Sequence, residues 1–266
     1  MKDITIIIPI HNINEELLEY TKNALNSIEE NRKTYDDTLY TMIVCPQHIH
    51  EYLKKSLSDY YDIDYIVNTT DKTDFCSQIN FAVDSVKTDF FSILEYDDEY
   101  KPKWFSMAKK YYYGNEDVSL FLPLNILYSS DNKTYQYGNE MVLATSFSNE
   151  LGFIDFDCLE NCFTFNITGG IFNKQDFITM GKLKSSIKVS FAYEFLMRIT
   201  NKKLKVMVVP KEGYVHIVCR KNSLTDYYNN TISNEDLPKW FDLAKREYPY
   251  MEDRNKTIVK NDEKIK

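Results

Sequence analysis

Residues 90–98 read Phe-Phe-Ser-Ile-Leu-Glu-Tyr-Asp-Asp, an apolar run that ends in a cluster of carboxylates. Phe90 to Leu94 has the length and composition of a strand buried on both faces, as in a parallel sheet covered by helices. Open α/β sheets place their ligands outside the carboxyl ends of such strands, where Glu95, Asp97 and Asp98 stand. Glu95 and Asp97 are two residues apart, so on an extended chain they point to the same side. Two hard oxygen donors on one side can hold Mg²⁺ or Mn²⁺ and leave positions open for diphosphate oxygens. On these residues alone the alternative is a polar turn that closes a strand.

The flanking sequence repeats the same grammar. Ile4 to Pro9 is a β-branched run stopped by proline, and residues 14–31 carry Leu17, Leu18, Ala24, Leu25 and Ile28 at helical spacing. Tyr40 to Cys45 and Asp64 to Val67 read as further strands, and His48 to Leu57 and Phe75 to Val86 as helices. Strand and helix alternate, which predicts a parallel sheet with right-handed crossovers over the first hundred residues. Beyond Lys101 the spacing predicts a helix over Trp104 to Tyr113, a strand over Val118 to Tyr128 and a helix over Val189 to Thr200. A strand over Leu204 to Val209, ended by Pro210, and a last helix over Glu235 to Tyr248 follow.

Composition narrows the classes. The formal charge of −8 over 266 residues argues against a duplex nucleic-acid partner, which demands a basic footprint. No stretch approaches the ~20 apolar residues of a membrane span, so no transmembrane segment is expected. The odd number of cysteines, most of them inside apolar runs, predicts reduced thiols and a cytoplasmic setting, or the host cytoplasm for a viral chain. Cys158 and Cys162 read as buried thiols rather than as half a metal site.

The first glycine of the chain is Gly114. The βαβ half therefore lacks both the Gly-x-Gly-x-x-Gly turn and the glycine-rich lysine loop, whose glycines let backbone approach phosphate closely. Dinucleotide-binding and P-loop chemistries are excluded. A phosphorylated ligand on this sheet requires a cation to carry much of its charge.

In order, these segments resemble the family 2 glycosyltransferases. Ile4-Thr-Ile-Ile-Ile-Pro-Ile-His-Asn12 resembles the family's opening strand, whose following loop meets nucleobase and ribose; the resemblance implies donor contacts at Pro9, His11 and Asn12. Ser77-Gln-Ile-Asn80 and Phe90 to Asp98 resemble the stretch leading to its Asp-x-Asp element, which implies Gln78, Asn80 and Tyr96 at the donor and Glu95 and Asp97 at the metal. Thr168-Gly-Gly-Ile-Phe172 resembles the segment beside the transferred sugar and acceptor, through Gly169 and Gly170. Phe191 to Arg198, Val206 to Pro210 and Tyr214 to Leu224 resemble the later helix, strand and basic loop. There His216 would complete the metal shell, and Arg220 and Ser223 would meet diphosphate oxygens.

The resemblance implies a GT-A fold, an α/β architecture with a mostly parallel central sheet flanked by helices. It implies a glycosyltransferase that inverts, uses Mn²⁺ or Mg²⁺, and moves a sugar from a nucleotide-diphosphate donor to a hydroxyl on a glycan, protein, lipid-linked sugar or modified base. Residues 1–225 are expected to form the transferase domain, with 1–100 as the donor half and 101–225 as the acceptor half. A C-terminal helix and charged tail occupy 226–266. Alternatives are a degenerate nucleotide-sugar-binding protein and a nucleotidyltransferase, although the latter's glycine-rich basic loop is missing. The composition fits a viral or low-GC bacterial source.

Three departures from the family pattern stand out. The second strand ends in Val44-Cys-Pro-Gln47 instead of an acidic pair, which leaves base reading to Gln47, Thr69 or Thr70. The metal element opens with Glu95 in place of aspartate. Matched on Arg198, the positions of the family's catalytic Glu-Asp are Phe191 and Ala192, so Glu194, two residues on, is the expected general base. An ion pair with a nearby lysine or arginine is the competing role for Glu194.

Overall fold

In a computed structural model the chain is described over residues 1–129, 133–148, 150–218, 232–233 and 235–247. The first hundred residues form β1 (Ile4–Pro9), α1 (Glu15–Arg32), β2 (Leu39–Pro46), α2 (Gln47–Ser56), β3 (Ile63–Asn68), α3 (Phe75–Val83), β4 (Phe90–Ile93) and β5 (Glu99–Tyr100). The alternation expected from the sequence is present, and β3, β2, β1 and β4 lie side by side in parallel. Local signals place the helices: Asn14 caps α1 by accepting the Leu17 N–H, and Asp74 caps α3 by accepting the Ser77 N–H.

The second half adds α4 (Trp104–Tyr112), β6 (Val118–Ser129), β7 (Thr134–Gly138), α5 (Phe156–Asn161), β8 (Ile171–Asn173), α6 (Lys174–Thr179), α7 (Phe191–Asn201), β9 (Lys205–Val218) and α8 (Leu237–Glu247). Here the sheet becomes mixed: β8 is antiparallel to β4 and β6, and β5 is antiparallel to β9, whereas β9 runs parallel to β6. β9 extends well beyond the proline expected to end it. The β6–β9 register jumps from Leu122 opposite Val208 to Leu124 opposite Glu212, so Pro210 sits in a bulge where its missing N–H breaks no ladder bond.

The central strands β1 and β4 are buried on both faces. Ile4, Ile6 and Ile8 pack into the layer with α1, α2 and α4, and Ile7 packs into the layer with α3, α5, α6, α7 and α8. Each such side chain contributes about 1.5–3 kcal/mol of hydrophobic stabilisation. The last helix joins this body: Phe241 of α8 meets Phe163 and Tyr193, and Ser190 donates to the Trp240 carbonyl at 2.9 Å. No helix among the described residues is long and apolar enough to cross a membrane.

Candidate metal and donor site

The carboxylates after β4 do not continue on an extended chain. The Asp98 N–H donates to the Glu95 carbonyl at 3.1 Å, which closes a turn over residues 95–98. The turn replaces the two-residue alternation assumed from the sequence. Glu95 and Asp98, three apart, are brought together with His216 of β9, their ligand-capable atoms all within 4.8 Å of one another. Asp97 stands outside that trio, yet its charge acts on both Glu95 and His216.

β5 is what brings the turn to β9. It pairs Glu99 with Val215 and Tyr100 with Tyr214, and so lays Asp98 alongside His216. Asp98 Oδ2 lies 2.7 Å from His216 Nδ1, and Asp98 Oδ1 accepts the Ile217 N–H at 2.9 Å. Tyr214, two residues before the histidine, is fully buried and its hydroxyl oxygen accepts the Glu95 N–H at 3.1 Å. Sequence reasoning missed both Asp98 and Tyr214 as organisers of the site. The identity of the acid beside His216 follows only from the β5–β9 register.

The electrostatics are those of an acid cluster with too little positive charge. Burial, with Asp98 and Asp97 adding repulsion, pushes the Glu95 carboxyl up to about 8 despite His216 and Thr168. Burial disfavours the charged imidazole of His216, but Asp98, Glu95 and Asp97 outweigh it and push the ring up to about 10. Carboxylate oxygen and imidazole nitrogen are donors that match a hard or borderline divalent ion such as Mn²⁺ or Mg²⁺. The residues therefore fit the cation, and the crowding of acids is what such a charge would relieve.

The remaining expectations divide. His11 and Asn12 are exposed at the end of β1, and the His11 ring meets Tyr96 edge-on at 5.9 Å, so the loop after β1 does reach the turn after β4. Pro9 is buried in the strand end, and Thr69 is exposed beyond β3. Asn80 is turned to another duty: its amide donates to the Leu183 carbonyl at 2.7 Å and accepts the Leu183 N–H at 2.9 Å, which ties α3 to the loop after α6. Gln78 is fully buried and donates to the Thr73 carbonyl at 3.0 Å. Arg220 and Ser223 lie outside the described residues.

Gly169 and Gly170 are glycine for reasons of space. Gly169 has φ of +75°, and a Cβ there would lie 2.4 Å from the Tyr214 ring; one on Gly170 would lie 2.8 Å from Leu122. The Gly169 N–H donates to the Ile93 carbonyl at 2.8 Å and its carbonyl accepts from Trp104 Nε1 at 3.0 Å, which presses the loop against the end of β4.

Glu194, the expected general base, is engaged by cations within the fold. It is fully buried in α7, and Arg198 donates to both of its oxygens, from Nε at 3.0 Å and from an Nη at 2.9 Å. Lys184 Nζ adds a contact at 3.2 Å. Arg198 also donates to the Met180 and Lys182 carbonyls, so the pair fastens α7 to the loop after α6. These contacts are those of the competing ion-pair role.

Residues 5–170, well over half of the chain, match the family described as glycosyl transferase family 2. The chain belongs to that family. The solved structures similar to this family 2 chain include S. aureus TarS in complex with UDP-GlcNAc, at 13% identity and a TM-score of 0.63, over 92% of this chain and 65% of that one. The mannosyltransferase PcManGT from Pyrobaculum calidifontis, in complex with GDP-Man and Mn²⁺, is similar at 13% identity and a TM-score of 0.60, over 82% of this chain and 58% of that one. At such identities the likeness speaks for the fold, which is GT-A, with a mixed central sheet between helices. The chain spans less than two thirds of the length of either structure. No curated protein matches the sequence.

Proposed function

We propose that this family 2 member moves a sugar from a nucleotide-diphosphate donor to an acceptor hydroxyl with inversion, and depends on Mn²⁺ or Mg²⁺. The observation that carries this reading is the convergence of Glu95, Asp98 and His216 at the carboxyl end of β4, in a half-sheet whose sequence has no glycine to cradle phosphate. In the reaction the acceptor oxygen bonds to the anomeric carbon, the bond from that carbon to the diphosphate oxygen breaks, and the acceptor proton passes to a base. When bound, the cation supplies charge that stabilises the departing diphosphate. Glu95 and His216, with Asp97 nearby, would hold that positive charge in place, and His11, Asn12 and Tyr96 would border the nucleoside. The division into a donor half at 1–100, an acceptor half at 101–225 and a C-terminal segment at 226–266 belongs to the same reading. Free cysteines among the described residues accord with work in the cytoplasm.

Two relatives bound to different nucleotides, UDP-GlcNAc and GDP-Man, make the donor a matter for experiment. A thermal-shift screen of UDP- and GDP-sugars with and without Mn²⁺ is expected to find one donor that stabilises the protein only with the cation. At a hundredfold excess over Kd the gain is about 2.7 kcal/mol, or roughly 5–10 °C for a domain of this size. A screen in which no nucleotide sugar raises the melting temperature with Mn²⁺ contradicts the reading.

A second reading, a nucleotide-sugar-binding protein without turnover, draws on Phe191 and Ala192 at the family's catalytic positions and on the engagement of Glu194 by Arg198. Donor binding that is metal-linked, with neither hydrolysis nor transfer over long incubation, would select it. Family membership leaves the nucleotidyltransferase alternative without support.

A further inference from the structure

We propose that Asp98 is the positioning residue of this site: it holds His216 with Nε2 turned to the cation, and it does not ligate the cation itself. The inference rests on the metal-dependent reading above and assigns the division of labour within it.

Burial separates the three side chains. Glu95 is partly exposed and His216 is 22% exposed, whereas Asp98 is 1% exposed. Both Asp98 oxygens are turned to β9, Oδ2 to His216 Nδ1 at 2.7 Å and Oδ1 to the Ile217 N–H at 2.9 Å. A carboxylate only 1% exposed, with each oxygen engaged by β9, is better placed to orient the neighbouring imidazole than the more exposed Glu95 and His216 are. With Nδ1 occupied, Nε2 is the ring atom left for coordination, and a carboxylate that accepts from Nδ1–H fixes that tautomer and raises the basicity of the ligating nitrogen.

The fold supports the arrangement independently. β5 is only two residues long, and its pairing of Glu99 with Val215 and Tyr100 with Tyr214 sets the register that places Asp98 beside His216. Tyr100 is in turn fastened through its hydroxyl to Ser92 of β4 at 2.7 Å, and its N–H donates to Ser27 of α1 at 3.1 Å. Asp98 is thus anchored from β4, α1 and β9 together, as a group that must orient a neighbour to within a fraction of an ångström requires.

The test uses the full chain and metal alone. Mn²⁺ affinity of wild type and Asp98→Asn is measured by electron paramagnetic resonance, and the His216 ring nitrogens are followed by ¹⁵N NMR with Cd²⁺, the signal being assigned by its loss in His216→Gln. The expected results are a 10- to 100-fold weaker Mn²⁺ affinity in Asp98→Asn, about the loss typical of an outer-shell partner, and a wild-type ring that is protonated at Nδ1 and metal-bound at Nε2. Unchanged Mn²⁺ affinity in Asp98→Asn, or coordination through Nδ1 in the wild type, overturns the assignment while leaving the metal reading in place. Failure of the wild type to bind Mn²⁺ at all overturns both. If Asp98→Asn does not fold, the wild-type ¹⁵N spectrum decides alone.

Discussion

Glu95→Gln is expected to remove metal-linked donor binding and to lower turnover by about 10²–10³-fold, the loss seen when one preorganised oxyanion-stabilising group is deleted. The side chain keeps its shape and loses only its charge, so the effect isolates the carboxylate. Stability should move the other way. In the metal-free protein burial, with Asp98 and Asp97 adding repulsion, pushes the Glu95 carboxyl up to about 8. A raised carboxyl pKa means that ionised Glu95 opposes folding, and this penalty grows as pH rises from the ordinary carboxylate range through that value. The glutamine variant is therefore expected to melt at or above the wild-type temperature at pH 8 without metal. Calorimetry and Mn²⁺-dependent donor titration on one sample check both halves; a variant that loses stability and keeps Mn²⁺-linked binding contradicts the site.

The second large effect concerns the pair in α7. Arg198→Ala leaves Glu194 fully buried against Lys184, and leaves the Met180 and Lys182 carbonyls without the Arg198 donor. Breaking one side of a buried ion pair costs about 3–5 kcal/mol, a large fraction of the stability of a typical domain. Replacing both members with apolar residues of similar volume should cost far less, because no lone charge remains. Urea unfolding of Arg198→Ala and of Glu194→Leu/Arg198→Met measures the contrast. Glu194→Gln, where it folds, is expected to keep its turnover. Turnover lost at unchanged stability would return Glu194 to the role of base.

The parallel half of the fold was legible because its signals are local. Ile4 to Pro9, Tyr40 to Cys45 and Phe90 to Leu94 are short apolar runs with clear stops, and the helices between them carry their own caps at Asn14 and Asp74. The short strands β5, β7 and β8 have no comparable signature, since segments of two to five residues gain their strand character from partners distant in the chain. Pro210 misled for a related reason: a proline stops a strand unless a bulge receives it, and the bulge is set by β6.

At the site, the right stretch was visible and the right geometry was not. On an extended chain Glu95 would share a side with Asp97, whereas the Glu95–Asp98 turn, closed by one backbone hydrogen bond of 3.1 Å, joins Glu95 to Asp98. His216 could be named from family resemblance, but the acid that orients it depends on a two-residue strand pairing across more than a hundred residues of chain. Glu194 could be read either way from its neighbours in sequence. Only its contacts with Arg198 and Lys184 separate an ion pair from a base.

The most direct measurement is an anomalous difference map from crystals grown with Mn²⁺ and the donor that the thermal screen selects. The account predicts a manganese peak between Glu95 and His216 Nε2, touching the donor's diphosphate oxygens, with Asp98 still bonded to Nδ1. A bound nucleotide sugar whose diphosphate lies away from the end of β4, with no metal density beside Glu95 or His216, would contradict it.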